Sequence, residues 1–282
     1  MKYSEILIDK YTDILTCPVC QCKLEPSENK KSLLCLGVKR HCFDISAKGY
    51  INLSLNHFGG GDSKDAVRSR TAFLNKGFYS PFAEELCRLL SKYMKGDTLV
   101  DAGCGEGYYT SLISNKCGFR TIGFDLSKAA IESAAAHASR EQLDSVAYSV
   151  AGLFSLPLKN ECADGVINLF APCAENEFLR VLKPGGILLV AGAGEDHLLG
   201  FKRAIYDTPY KNETRADLPV KMKKLAKEKI KFEIKLDSCE DKLNLFSMTP
   251  YYYRTSKEDA EKLKNDNTVV TEVEFDIDIY EK

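Results

Sequence analysis

The chain has 282 residues, 44% hydrophobic and 28% charged, which is a normal composition for a globular protein of one large domain, with or without a small one. No run approaches the 18 apolar residues of a membrane span, and the first ten residues lack the apolar core of a signal peptide. A net charge of −1 gives no global signal for nucleic acid. These properties predict a cytoplasmic protein with no membrane partner.

Five of the eleven cysteines lie in the first 42 residues, and clustering of this kind in a reducing compartment suggests a metal before it suggests disulfides. Cys17-Pro-Val-Cys20 is a knuckle that directs two thiolates to one point, and tetrahedral zinc takes a second pair of ligands. Cys35 belongs to that second pair. The fourth ligand stays open among three neighbours: Cys22, His41 and Cys42. The alternatives are reduced cysteines without metal and a redox CxxC motif.

The chain beyond the cysteine cluster divides into a link and a larger domain. Alternation over 47–55 predicts a strand that closes a small ribbon, and the glycine-rich stretch 56–63 predicts a linker. A helix over 65–76, with Arg68 and Arg70 exposed, precedes a break and an amphipathic helix over 82–94. The predicted domains are a zinc-binding ribbon (1–56), a linker and helix (57–80) and the large domain (81–282).

From Thr98 onward, short apolar runs alternate regularly with helical patterns. Strands are predicted over 98–102, 120–125, 145–150, 164–170 and 186–192. Helices are predicted over 106–115, 127–139 and 174–182. This order implies right-handed crossovers and a mostly parallel α/β sheet, in which ligands bind beyond the carboxyl ends of the strands.

The stretch around the end of the first of these strands has the chemistry of a nucleotide site. Asp101 ends an apolar run, and glycines follow at alternate positions: Gly103, Gly105 and Gly107. Glycine there permits positive φ and close approach of a ligand to the backbone. Asp125, about twenty residues further on, ends the next strand and suits the two hydroxyls of a ribose. The alternative is a glycine-rich turn in another α/β domain.

The C-terminal third holds a basic segment, two helices and a strand. Residues 221–235 contain seven lysines and two glutamates, which alone favours a solvated helix face over an RNA-binding surface. A helix is predicted over 196–206 with His197 in its first turn. A further helix is predicted over 256–263, and a long strand over 268–280.

The GxGxG loop with an acid ending the next strand resembles the class I S-adenosylmethionine (SAM) methyltransferases. Their fold implies a Rossmann-like class I SAM-dependent methyltransferase domain, here with a small N-terminal zinc-ribbon domain. Over nearly the whole chain, the motifs CPVC, HCFDISAKGYINL, FLNKGFYSP, DAGCGEGYYT, LFAPC and MTPYYYR resemble the ribosomal RNA large-subunit (23S) guanine-N1 methyltransferases, which include the enzyme conferring tylosin resistance. The resemblance implies methylation of guanine N1 in a 23S rRNA hairpin, and a homodimer.

Carried over residue by residue, the resemblance assigns zinc to Cys17, Cys20, Cys35 and His41. It assigns cofactor contacts to Tyr79, Gly105, Glu106 and His197. Gly152-Leu153 stands where many class I enzymes have an acid for the adenine amino group, so backbone atoms and apolar packing must hold the adenine.

Asn168-Leu-Phe-Ala-Pro-Cys173, at the end of the fourth strand, occupies the position where such enzymes hold the target base. We expect Phe170 and Pro172 to form the base pocket, with Phe170 stacking on the guanine and carbonyls near Ala171 reading its edge. Pro172-Cys173 also resembles the covalent nucleophile of cytosine-C5 methyltransferases. The remaining alternatives are a methyltransferase of a small molecule, with the ribbon as a protein-contact module, and a binding module without activity.

Overall fold

The computed structural model describes residues 3–55, 61–213, 221–265 and 267–282. The helices, in chain order, are α1 (Tyr3–Tyr11), α2 (Lys64–Asn75), α3 (Ser80–Tyr93), α4 (Tyr108–Cys117), α5 (Lys128–Arg140), α6 (Glu175–Val181), α7 (Leu199–Ile205), α8 (Cys239–Ser247) and α9 (Lys257–Glu261), the last running into a 3-10 turn at Lys262–Lys264. Within these residues, no helix is both long and apolar enough to cross a membrane.

The strands are β1 (Leu24–Pro26), β2 (Ser32–Cys35), β3 (Cys42–Asp44), β4 (Ile51–Asn52), β5 (Thr98–Ala102), β6 (Arg120–Asp125), β7 (Val146–Val150), β8 (Ala163–Leu169), β9 (Leu182–Ala193), β10 (Lys223–Leu236) and β11 (Val269–Glu281). Strands β1 to β3 form a small antiparallel ribbon. The other eight form one sheet in the order β10-β11-β9-β8-β5-β6-β7-β4.

The sheet confirms the predicted Rossmann-like architecture. Strands β4 to β9 run parallel, and β11 and β10 are added antiparallel at one side. Buried apolar side chains cover both faces, one beneath α1, α5 and α6 and the other beneath α2, α3, α7 and α8. The strand order reverses beside β5, so the carboxyl ends of β5, β6 and β8 meet at the point where such folds bind ligands.

The lysine-rich segment is not a helix face, because residues 223–236 form strand β10. Apolar residues at even positions (Ile230, Phe232, Ile234 and Leu236) alternate with charged ones over the second half of the strand. Several lysines face acids of β11; Lys229, for example, lies 2.7 Å from Glu274. The alternation has the two-residue period of a strand. The prediction of a helix face gave more weight to the seven lysines than to this period.

The N-terminal residues take part in the large sheet as well as in the ribbon. Tyr11 of α1 is fully buried, and its hydroxyl lies within hydrogen-bond distance of the carbonyl oxygens of Thr121 (2.8 Å) and Ser145 (2.6 Å). The strand expected over 47–55 is only Ile51–Asn52, which extends the large sheet beside β7 and keeps one bridge to the ribbon at Ile45. Removing residues 1–56 would therefore uncover the core of the large domain.

Other predictions meet the structure at different points. Residues 56–60 of the predicted linker lie outside the described residues, and the domain limits stay a prediction. The predicted C-terminal helix and strand are confirmed as α9 with its 3-10 turn and β11. The helix predicted from residue 196 begins at Leu199, so His197 precedes it instead of lying in its first turn. The backbone turns at Leu198, whose φ is 60°.

Candidate functional site

The four predicted metal ligands come together at one end of the ribbon. The candidate ligand atoms of Cys17, Cys20, Cys35 and His41 all lie within 4.8 Å of one another. The Cys17 sulfur is 3.4 Å from His41 Nδ1, and the Cys20 and Cys35 sulfurs are 3.3 Å apart. Three thiolates and one imidazole within bonding reach of a common centre are a ligand set of structural zinc.

Cys42 and Cys22, the alternatives to His41 as the fourth zinc ligand, lie at different distances from the cluster. Cys42 is exposed at the start of β3, and its thiol is directed to Asp44, 4.0 Å away. Cys42 is not one of the four residues whose ligand atoms come together. Cys22 is closer, because a Cβ at Gly37 would meet the Cys22 sulfur at 3.0 Å and the Cys20 sulfur at 3.1 Å. Cys22 is nevertheless outside the group of four.

A cleft of about 690 Å³ opens at the carboxyl ends of the parallel strands. That volume is within the range of sites for small molecules and cofactors, about 300–1,000 Å³. Nine residues predicted for the cofactor or the base line it: Tyr79, Asp101, Gly103, Gly105, Glu106, Asp125, Phe170, Pro172 and His197. The tenth, Gly107, is turned away from the cleft: a Cβ there would stand 2.5 Å from the hydroxyl oxygen of Tyr148.

The glycine loop is held tightly between β5 and α4. Gly103 has a φ of 93°, and a Cβ at this position would lie 2.5 Å from the Cβ of Ala171. Asp125 fixes the loop from β6, with one carboxylate oxygen accepting from the N–H of Gly105 (3.0 Å) and the other from that of Ser127 (2.7 Å). The loop therefore presents its backbone to the cleft without a side chain in the way.

Asp101 has a buried carboxyl group, and only one of its two oxygens accepts a hydrogen bond from the described residues. Its Oδ2 accepts a hydrogen bond of 2.6 Å from the Thr110 hydroxyl, whereas Oδ1 is buried with no hydrogen-bond partner among the described residues. Burial raises the pKa of Asp101 to about 7, and the nearby Asp125 and Glu106 carboxylates add to the rise. A buried acceptor without a partner is costly, so this geometry fits a positively charged donor from a ligand.

His197 enters the cleft as a neutral hydrogen-bond donor. Burial lowers its pKa to about 3, helped by the nearby positive charge of Lys202. The N–H of Glu274 donates to His197 Nδ1 at 3.3 Å, which assigns the ring proton to Nε2. The ring lies 4.7 Å from that of Phe275 and 6.3 Å from that of Tyr79. His197 therefore offers an N–H to a ligand and has no free basic nitrogen.

The loop after β8 exposes an aromatic ring to the cleft. Phe170 is 49% exposed, although its ring lies 5.0 Å from that of Phe275, and its φ of 57° is unusual for a side chain of this size. Asn168 holds the loop from below, because its side-chain N–H groups donate to the carbonyls of Ala102 (2.9 Å) and Pro172 (3.3 Å). Strained backbone that keeps an aromatic residue open to a cleft is a feature of binding sites.

Sequence reasoning missed several residues of this cleft, notably Arg70, Asn212, Thr249 and Tyr253. Arg70 was expected to be exposed, but its side chain is mostly buried against Glu106. Its spacing from Val67, Phe73 and Leu74, all buried, is the i−3, i+3, i+4 spacing of one helix face. This periodicity could have shown from the sequence that Arg70 is a charged residue on the core-facing side of the helix.

Comparison with known proteins gives matches to both parts of the chain. Residues 15–54 match the zinc-ribbon family described as RlmA, N-terminal, and residues 94–268 match the methyltransferase domain family. The 23S rRNA (guanine(748)-N(1))-methyltransferase of Streptomyces fradiae is 33% identical over 190 residues, which cover 65% of each chain. The putative 23S rRNA (guanine-N(1)-)-methyltransferase YxjB of Bacillus subtilis (strain 168) is 28% identical over 205 residues, covering 68% of this chain and 69% of the relative.

Among solved structures, the YcgJ protein of Bacillus subtilis has a TM-score of 0.49 at 16% identity, covering 71% of this chain and 97% of that one. The chain spans 65% of the length of the Streptomyces fradiae methyltransferase and 69% of the length of YxjB.

Proposed function

The chain belongs to the methyltransferase domain family and has the RlmA-type N-terminal zinc ribbon, and we propose that it transfers a methyl group from SAM to N1 of a guanine in 23S rRNA. The observation that carries this proposal is the presence, in one chain, of the four-ligand ribbon and the cleft at the carboxyl ends of the sheet. The names of the two curated relatives support the same reaction.

The residues of the cleft fit SAM as the methyl donor. When bound, SAM supplies a methyl group on a positively charged sulfur. We propose that Oδ1 of Asp101 accepts from its ammonium group and that Asp125 accepts from its ribose hydroxyls. The neutral imidazole of His197 donates from Nε2 to the carboxylate, and Tyr79 and the loop around Gly105 form the surrounding wall.

We propose that zinc is held by Cys17, Cys20, Cys35 and His41 and has a structural role. The ribbon has only three short strands, so it buries little apolar surface of its own. Metal binding would then supply much of the free energy that orders it.

The target guanine is proposed to stack on Phe170, next to Pro172, with backbone groups near Ala171 at its edge. The Watson–Crick edge of guanine includes N1, so the base must be unpaired or flipped out before it can react. Hairpin loops contain unpaired bases, so a hairpin of 23S rRNA meets this requirement for the substrate. We further propose that the protein acts in the cytoplasm as a homodimer, which sedimentation of the purified protein tests.

Guanine N1 carries a proton that must leave before N1 can attack the methyl group. His197 is unsuited to remove it, because its Nδ1 already accepts from the backbone and its pKa is about 3. We therefore propose that the N1 proton passes to solvent water, and that the cleft contributes the alignment of N1 with the methyl group and hydrogen bonds to the charge that develops on O6.

Primer extension on 23S rRNA tests the proposal, since a methyl group on N1 blocks base pairing and stops the polymerase. We expect a stop in RNA from cells with the gene, none after its deletion, and its return on complementation. Nucleoside mass spectrometry should identify 1-methylguanosine in the same RNA. An rRNA pattern that does not depend on the gene would refute the rRNA substrate and favour a small-molecule acceptor.

A further inference from the structure

The guanidinium of Arg70 joins two acids that lie far apart in the sequence. Its Nε lies 2.5 Å from Glu106 Oε2, and its Nη2 forms an ion pair with Asp62. The Arg70 side chain is only 24% exposed and that of Glu106 only 6%. Water screens such a pair little, so its charges attract each other more strongly than those of the exposed Arg68–Asp65 pair on the same helix.

The two acids belong to different parts of the methyl-donor site. Glu106 is in the glycine loop, and a Cβ at Gly105 would lie 3.5 Å from Arg70 Nη2, so the guanidinium lies against the backbone of this loop. Asp62 is in the segment before α2, and its carbonyl accepts from the Ser127 hydroxyl at 2.8 Å. Arg70 therefore ties the glycine loop to the segment that enters from the ribbon.

The charges around the loop show why a cation is needed there. Asp101, Glu106 and Asp125 all line the same cleft, and burial raises the pKa of each of them. The positive charge of Arg70 opposes that rise at Glu106 and Asp125. Without it, the loop would hold a buried carboxylate with no counter-charge, which is strongly unfavourable.

We propose that Arg70 is a positioning residue for the methyl donor: by holding Glu106 and Asp62, it keeps the glycine loop in the conformation that binds SAM. The residue lies in α2, upstream of the segment that matches the methyltransferase domain family, so the cofactor site depends on the link to the ribbon. The inference rests on the SAM site proposed above and is independent of the RNA substrate.

Calorimetric titration of the full chain with SAM, without RNA, tests this role. We expect Arg70→Met to raise the Kd for SAM by about tenfold or more and Arg70→Lys to raise it less, because lysine keeps the charge but loses the forked geometry. Arg68→Met is the matched control: Arg68 lies on the same helix and pairs with Asp65 at 2.9 Å, but both side chains are more than four-fifths exposed. Its Kd should equal that of the wild type.

A double-mutant cycle separates positioning from general loss of structure. In a Glu106→Gln background, the further effect of Arg70→Met on the Kd for SAM should be smaller, because the carboxylate that Arg70 pairs with is absent. Unchanged affinity in a folded Arg70→Met protein, or strictly additive effects, would overturn the proposal. If Arg70→Met does not fold, the Kd of Arg70→Lys decides. A normal Kd in these variants leaves the rRNA reaction standing, since primer extension tests that separately.

Discussion

Replacing Asp101 by asparagine should change ligand binding and stability in opposite directions. The amide keeps an acceptor for the Thr110 hydroxyl, which donates to Asp101 at 2.6 Å, and removes a buried negative charge. It also places an N–H₂ group where the ammonium of SAM is proposed to bind. We therefore expect the ligand-free protein to gain stability and to lose affinity for SAM.

The size of the stability change follows from the pKa of Asp101. The difference between the usual value of 3.8 and about 7 in the folded protein corresponds to about 4 kcal/mol against the ionised form. Between these pH values the folded chain binds a proton that the unfolded chain does not, so stability falls as pH rises from about 4 to 7. An unpaired amide N–H costs about 1–3 kcal/mol, which leaves a net gain of about 1–3 kcal/mol at pH 8.

The effect on binding has its own magnitude and pH dependence. Loss of a charge-assisted hydrogen bond costs about 1.5–3 kcal/mol, so the Kd for SAM at pH 8 should rise about 10- to 100-fold. In the wild type, SAM should favour the ionised carboxyl of Asp101, and its affinity should fall as pH drops below about 7. The Asp101→Asn protein should show neither this pH dependence nor the associated proton release.

Urea unfolding and calorimetry at pH 6, 7 and 8 measure both quantities. Asp164→Asn is the control, because this buried acid lies outside the cleft, where it accepts from the N–H of Thr98 (3.1 Å) and pairs with Lys183 (2.8 Å). It should lower stability and leave the Kd for SAM unchanged. An Asp101→Asn protein that binds SAM as tightly as the wild type would refute the proposed place of the ammonium.

Three further predictions concern the target base and the metal. Phe170→Ala should lower kcat/KM for RNA by about 5- to 150-fold in a methyl-transfer assay and leave SAM binding normal, because stacking on a base contributes about 1–3 kcal/mol. Phe154→Ala is the control, because Phe154 is 71% exposed and lies outside the cleft lining. Equal activities of the two variants would contradict the stacking. Cys173→Ser should retain turnover, whereas an inactive but folded and SAM-binding variant would support a covalent nucleophile. Metal analysis should find one zinc in Cys42→Ser and little in Cys17→Ser, and the reverse pattern would reject the proposed ligand set.

The regular parts of this fold were predictable because they depend on short-range patterns. The strands from Thr98 onward and the helices between them follow hydrophobic periodicity, and their observed limits differ from the predicted ones by only a few residues. The glycine loop and Asp125 were found in the same way, since positive φ and an acid at a strand end are local requirements. Periodicity failed at β10, where the lysines outweighed the alternating apolar residues.

The sequence by itself determined which residues could form a nucleotide loop and a metal cluster, because those requirements are written in residue type and spacing. Only the tertiary structure decided their surroundings. It brings His41 into the cluster and leaves Cys42 outside it, leaves Oδ1 of Asp101 without a partner among the described residues, and makes His197 a donor through a backbone N–H that is 77 residues away. The pairing of Arg70 with Glu106 and Asp62 has the same cause: contacts between distant segments exist only when the chain packs, and no local pattern encodes the partner.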